Sequence, residues 1–394
     1  MDPLRNPYTP GAGTPPPALS GREPQLEQYR LLLGRLNNRR PEQSLLITGL
    51  RGVGKTVLLD TFEQIALDQG WFASFTEITS GSQLARIMAT MSREALLDLS
   101  RSERVKDRGR RALGALKAFA AAAGGVEVRI DVDVDATPGV ADSGDLGRDL
   151  GDLLIEVGET ASAAERGVVF LLDEAQFLTK REFEALIAGM HRAARKRLPV
   201  TVVGAGLPLL PRLAGEAKSY AERLFVFPRI GALPPPAARD ALAGPARDED
   251  VEFADDALER IIDLSKGYPY FLQQYGKHAW LVGTFPRITR DDVESAHQRV
   301  LEILDSDFFA VRLARTTELE RRYLRAMAEF DDGPVLSGEV SRRAGYQSTT
   351  ETGPTRDALI KKGLLYSPEW GQLAFTVPMF AAYLRRQLPA SDQE

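Results

Sequence analysis

Cysteine is absent from this chain of 394 residues, which excludes disulfides, thiolate catalysis and cysteine-based zinc or iron–sulfur sites. Histidine is scarce. His191, His278 and His297 stand far apart and form no HExxH or comparable metal-ligand spacing. Long apolar runs are missing too: none approaches the ~20 residues of a spanning helix. The nearest, Ala112 to Gly125, is short and broken by Lys117. The first residues, Met1 to Tyr8, lack the basic-then-apolar layout of a signal peptide. A cytoplasmic protein without membrane contact is expected. An excess of positive charge is also lacking; the net charge of −5 argues against a globally basic nucleic-acid binder and leaves local patches open. What is present is a soluble globular composition, 43% hydrophobic and 27% charged, on a chain long enough for two or three domains.

One stretch has a mechanical meaning. Gly49, Leu50, Arg51, Gly52, Val53, Gly54, Lys55 and Thr56 spell G-x-x-x-x-G-K-[ST]. They follow a strand-like run, Ser44 to Thr48, and open a helical pattern from Val57 to Asp68. In that setting the glycines let the backbone wrap so that successive N–H groups point at phosphate oxygens. The helix N-terminus adds its positive end, Lys55 a contact to the β- and γ-phosphates, and Thr56 a hydroxyl for Mg²⁺. The pattern predicts binding of a nucleoside triphosphate together with Mg²⁺; the ATP identity comes from the resemblance given below.

Around this loop, strands and helices alternate. Trp71 to Ile78, Val168 to Leu172, Val200 to Val203 and Phe225 to Phe227 read as strands; Ser82 to Leu99, Gly144 to Glu159 and Arg181 to Lys196 read as helices. Such alternation predicts a parallel sheet covered on both faces. Residues 101–145 interrupt it with a basic run from Arg101 to Arg111, an Ala-rich helix and an alternating stretch, Val126 to Asp135. Asp131, Asp133 and Asp135 fail the EF-hand spacing at Ala136 and Asp142, and read as a solvated strand face. The Pro-rich stretch Leu233 to Pro236 marks a break, after which no strand is expected until about residue 364.

A hydrolytic site needs a carboxylate for the hydrated Mg²⁺ and a second acceptor for the attacking water. Asp173 and Glu174 end an apolar strand, at the sheet edge where side chains emerge beside such a loop. Asp173 is assigned to magnesium, with Thr56, and Glu174 to water activation.

With these motifs the chain resembles the AAA+ and STAND superfamily of P-loop ATPases. Gly49 to Thr56 matches the Walker A motif and Val168 to Glu174 the Walker B motif. It is most similar to bacterial ATPases related to the ORC/Cdc-type initiators and the archaeal ATPase group. Leu19 to Glu23, Asp173 to Gln176, Gly204 to Pro208, Tyr220 to Phe225 and Gly267 to Leu272 extend the match. The resemblance implies that Pro10, Gly21 and Arg22 help form the adenine and ribose pocket. It places Arg223 at the arginine finger, with Arg212 as the competitor. Gly267, Tyr268 and Pro269 look like the GxP motif of the STAND branch, whose proline lies against the base. No arginine stands within Gly267 to Gln274, and Gly204 to Gly206 carry no polar sensor residue. Both departures imply slow or partner-stimulated turnover, a switch rather than a motor.

The expected fold is α/β. An AAA+-like P-loop NTPase core with its parallel sheet occupies 1–232, with an N-terminal arm and the 101–145 insertion. A helical lid covers 233–311, a winged helix 312–388 and a tail 389–394. The winged helix is read from the order helix, helix, helix, hairpin. Between Arg312 and Arg386 stand twelve Lys/Arg and nine Asp/Glu, a balance of +3 against −8 elsewhere. Arg356, Lys361 and Lys362 lie on or beside its recognition helix and are the candidate contacts to double-stranded DNA. The alternative is a signalling or defence regulator whose winged helix binds protein, in a homo-oligomer or with a partner.

Overall fold

A computed structural model describes residues 1–11, 19–101, 105–124, 135–284 and 286–388. The chain divides into two compact units: residues 22–49 with 55–230, and residues 1–21 with 50–54 and 231–394.

In the first unit, α1 (Glu23–Asn37) precedes β1 (Ser44–Thr48) and α2 (Lys55–Asp68). Then come β2 (Phe72–Glu77), α3 (Leu84–Leu99), α4 (Lys106–Ala122), α5 (Leu146–Ala163) and β3 (Val168–Asp173). The unit closes with α6 (Lys180–Arg195), β4 (Val200–Gly206), α7 (Leu210–Ala217) and β5 (Phe225–Val226). The strands form one parallel sheet in the order β2-β3-β4-β1-β5. β1, β3 and β4 are mainly apolar and buried at every position, the pattern of strands covered on both faces. The edge strand β2 is only partly buried.

Helix starts follow local chemistry. Thr179 and Glu182 form a capping box at α6, and the Asp145 side chain accepts the Arg148 N–H at α5. The Ala-rich part of the insertion is α4, which adds Leu113, Leu116 and Phe119 to the same core as Met88, Leu96 and Leu154. The alternating stretch lies outside the described residues up to residue 134. Thr48 is level with Gly206, and Leu172 with Gly204. The chain therefore leaves β1 and β3 at the same sheet edge, on either side of the end of β4. That is the crevice where open α/β sheets bind ligands.

In the second unit, α8 (Pro235–Arg247), β6 (Glu252–Phe253), α9 (Asp255–Ser265), α10 (Pro269–Val282), β7 (Arg287–Ile288) and α11 (Arg290–Ile303) form a helical group. A π-helical turn (Leu304–Phe309) and α12 (Ala310–Leu313) follow. Next are α13 (Glu318–Met327), β8 (Val335–Leu336), α14 (Ser337–Arg343), α15 (Thr349–Lys361), β9 (Leu365–Tyr366), β10 (Gln372–Phe375) and α16 (Phe380–Gln387).

The expectation of no strand before residue 364 is corrected by β6, β7 and β8. Each is two residues long, too short to leave a periodic signature. β6 pairs with β7 in parallel, while β10 is flanked antiparallel by β8 and β9. α15 starts at Thr349, where Ser348 and Glu351 form a capping box, and runs on through Pro354. The start of the arm is tied down. Tyr8 is 2% exposed and donates its hydroxyl to the Leu242 carbonyl, and the Trp280 indole donates to the Asp2 carbonyl at 2.9 Å.

Candidate nucleotide site

The loop from residue 49 to 54 turns the chain from β1 into α2. Gly54 has φ +89° with open space where a Cβ would stand, so the demand for glycine there is conformational rather than steric. Lys55 is 6% exposed, and its ammonium folds back to donate to the Gly49 carbonyl at 3.1 Å. The Gly49 N–H in turn donates to the Gly206 carbonyl at 3.0 Å, which fixes the loop's origin to the end of β4.

One turn into α2, the Thr56 hydroxyl donates to Asp173 Oδ2 at 2.6 Å. Asp173 is 3% exposed, and its other oxygen accepts the Glu174 N–H at 2.8 Å. Burial pushes its carboxyl above the ordinary carboxylate range; the Thr56 and Glu174 hydrogen bonds and the Lys55 charge offset this incompletely. A buried carboxylate short of positive charge, facing a hydroxyl, is a hard oxygen donor set. It fits Mg²⁺, which takes one or two protein ligands and fills its remaining positions with phosphate oxygens and water. Among the described residues no group of three or more His, Asp or Glu could hold a metal without such help.

Glu174 follows in the left-handed region, φ +53°, a conformation that costs a non-glycine residue on the order of 1 kcal/mol. Gln176 holds it: its side-chain amide donates to Glu174 Oε2, and its Oε1 accepts the Leu207 N–H at 3.0 Å. Gly206 makes this reach possible, since a Cβ there would stand 2.4 Å from Gln176 Oε1. The polar group missing from the end of β4 is therefore supplied by Gln176 from the neighbouring strand's end. Two residues were not singled out from sequence for this site, Gln176 and Asp60. Asp60 lies one turn beyond Thr56; burial and the Asp173 charge push its carboxyl up. Its i+4 spacing from Thr56 was the available signal.

Other predicted residues fall as follows. Thr9 donates its N–H to Gln273 Oε1 at 3.3 Å, which brings Pro10 to α10, the helix that Pro269 opens. A Cβ on Gly21 would meet Ala237 at 2.8 Å and Leu233 at 3.3 Å, and the Leu233 N–H donates to the Gly267 carbonyl at 2.8 Å. Pro10, Gly21 and Pro269 thus gather around one end of the helical group. Arg22 is 5% exposed in front of α1, where burial lowers its pKa. Arg223 is exposed in a 3₁₀ turn just before β5, whereas Arg212 lies 3.8 Å from Glu216. Lys362 donates to both oxygens of Glu320, and Arg356 pairs with Asp357 at 3.1 Å; Lys361 is exposed.

Comparison with known proteins agrees with this geometry. Residues 18–203 match the AAA ATPase domain family, and residues 306–384 match a domain of unknown function, DUF8462. No curated protein matches the chain. Among solved structures, a Walker-type ATPase of Pyrococcus abyssi is 16% identical with a TM-score of 0.53, covering 93% of this chain and 96% of that one. The Thermotoga maritima RuvB Holliday junction branch migration motor is 19% identical with a TM-score of 0.44, covering 90% of this chain and 92% of its own. Aeropyrum pernix ORC1, in complex with DNA, is 18% identical with a TM-score of 0.42, covering 94% of each chain. The last two are loose likenesses; the first shows a shared fold. The matched residues 18–203 include the phosphate-type loop, Thr56, Asp173 and Glu174, and lie almost wholly in the α/β unit. No helix among the described residues is long and apolar enough to cross a membrane.

Proposed function

We infer that the chain binds ATP with Mg²⁺, hydrolyses it slowly, and uses the nucleotide state to govern a contact made by a C-terminal winged helix. The observation that carries the site is the 2.6 Å bond between Thr56 and Asp173, with Lys55 folded along the loop beside them. Thr56 and Asp173 would hold the metal, whose charge screens the phosphates. Lys55 and the loop N–H groups from Leu50 to Val57 would bind the phosphate chain. Glu174, oriented by Gln176, would accept the proton of the attacking water. Arg223, exposed in the turn just before β5, is the candidate finger toward a neighbouring subunit's nucleotide.

Two partners fit the winged helix. DNA contact would use Arg356, Lys361 and Lys362. Protein contact is the better supported reading, because Lys362 is engaged by Glu320, Arg356 by Asp357 and Arg343 by Glu329. The hairpin tip instead offers Trp370, 97% exposed, close to Leu336, 52% exposed.

The test compares wild type with Lys55→Ala and Glu174→Gln by ATP titration and phosphate release. Lys55→Ala should lose ATP affinity; Glu174→Gln should keep it and lose turnover by about 100-fold or more. Retained affinity in the first, or unchanged hydrolysis in the second, removes those assignments. For the partner, duplex DNA titrated at 50 and 200 mM salt should show no steep salt-dependent binding. A steep dependence would restore the DNA reading.

A further inference from the structure

The sheet of the α/β unit ends at β2, and an edge strand carries backbone groups that its own sheet does not use. The pairing with β3 shows which groups these are. The Phe72 N–H donates to the Gly167 carbonyl at 2.8 Å, and the Ile78 N–H to the Asp173 carbonyl at 3.0 Å. Along a strand in a parallel pair, alternate residues direct their N–H and C=O to opposite sides. The even-numbered residues from Phe72 to Ile78 therefore face β3. Ala73, Phe75 and Glu77 turn theirs outward, where among the described residues they meet no hydrogen-bond partner. Edges of this kind are usually blunted by lysine, proline or a bulge. β2 has neither residue and stays in register with β3 over all 6 of its positions.

A groove of about 560 Å³ borders this edge, lined by Glu63 of α2, by Phe72 to Phe75, and by Glu94 and Leu97 of α3. Its two glutamates stand on opposite faces of the sheet. The crossover from β1 to β2 and the one from β2 to β3 run in opposite directions across the sheet. Right-handed connections then put α2 on one face and α3 on the other. The Ser74 hydroxyl, which donates to Glu94 at 3.0 Å, marks the α3 face. The charge of the groove is unbalanced. Asp98 is answered by Arg166 at 2.6 Å and Arg101 at 3.4 Å. Among the described residues Glu63 and Glu94 have no such cation; burial, and then the Asp60 charge, push the Glu63 carboxyl above its ordinary range.

We propose that β2 is the docking edge for an extended segment of a partner protein carrying two consecutive basic residues. The segment adds a strand to the sheet through the outward groups of Ala73, Phe75 and Glu77. Successive side chains of a strand point to opposite faces, so one basic residue reaches Glu94 and the next reaches Glu63. A second copy of β2 fits poorly, because self-pairing would set these glutamates against one another. β3 and β4 separate β2 from β1 and its loop, so the docking does not depend on the nucleotide reading.

The experiment titrates the full-length protein, by fluorescence anisotropy, with the labelled and capped peptide Thr-Val-Lys-Arg-Val-Thr and with Thr-Val-Gln-Gln-Val-Thr. Residue-resolved hydrogen exchange is followed with and without the first peptide. The basic peptide should bind at least about tenfold more tightly than its glutamine counterpart. It should slow exchange at Ala73, Phe75 and Glu77 and leave Ser74 and Thr76, already bonded to β3, unchanged. Glu63→Gln combined with Glu94→Gln should weaken the basic peptide about tenfold or more and abolish the preference. Ala73→Pro, which removes one outward N–H and none of the β3 bonds, should weaken it about tenfold. Melting temperatures show that each variant is folded; should the proline variant unfold, the glutamate variant and the exchange pattern decide. Absence of binding by wild type at about 1 mM peptide overturns the proposal. So does equal affinity for both peptides, or protection that lacks the alternation. Protection of Ala73, Phe75 and Glu77 that grows with protein concentration alone would assign the edge to a second copy and overturn the partner segment.

Discussion

Asp173 and Glu320 are both buried carboxylates, 3% and 4% exposed, and the protein treats them in opposite ways. Burial pushes both upward. At Asp173 that push prevails over a threonine hydroxyl and a backbone N–H, and the group stays above the ordinary range. At Glu320 it is overcome by the Lys362 ammonium, which donates to both oxygens at 2.7 and 2.6 Å, and by the Thr317 N–H at 2.7 Å; the group falls below the ordinary range. One carboxylate is completed by the fold. The other is left short of positive charge and therefore open to a cation. Burial does not separate structural from functional acids; the unfinished coordination does.

The comparison can be broken by neutralising each acid. Asp173→Asn should reduce Mg²⁺-dependent ATP hydrolysis by about 100-fold or more, since Asp173 would be the carboxylate that holds the metal. The same change should raise the melting temperature of the nucleotide-free protein by a few degrees, because it removes a charge that folding desolvates without full compensation. Glu320→Gln should lower the melting temperature instead. Thermal melts without nucleotide give the signs, and phosphate release gives the activity. Two shifts in the same direction would erase the distinction between these sites.

Much of the α/β unit was legible because its strands are apolar runs with no polar alternation, and because a strand–loop–helix with Gly49, Gly54, Lys55 and Thr56 has few other uses. Asp173 and Glu174 could be placed by their position at a strand end. Gln176 could not be assigned its role, since that depends on the absence of a side chain at Gly206, thirty residues away in sequence. Asp60 was hidden in a helix whose other polar residues look like a solvated face. In the C-terminal part the helix order was readable, but a charge count does not say which charges are already paired. Lys362 contributes to the local excess of +3, yet it is committed to Glu320. Sequence gives the number of charges; only packing shows which are already used.

The smaller prediction sharpens the comparison through pH. Glu320 has a folded-state pKa below its unfolded value of about 4.3, so its pairing stabilises the fold fully above that pH. That contribution is lost as pH falls through the lowered folded value. Asp173 has the reverse sign: its raised pKa makes the ionised form a burden, present above the folded value and relieved as pH falls below the unfolded value of about 3.9. Lys362→Met should therefore cost about 2 kcal/mol at pH 7 and flatten the acid limb of the stability curve. Urea melts from pH 7 to pH 3 read both quantities. In wild type the curve should fall toward acid, and in Lys362→Met it should begin lower and fall less. The flattening is the decisive part, because simple loss of packing by the lysine stem would lower the curve evenly at every pH.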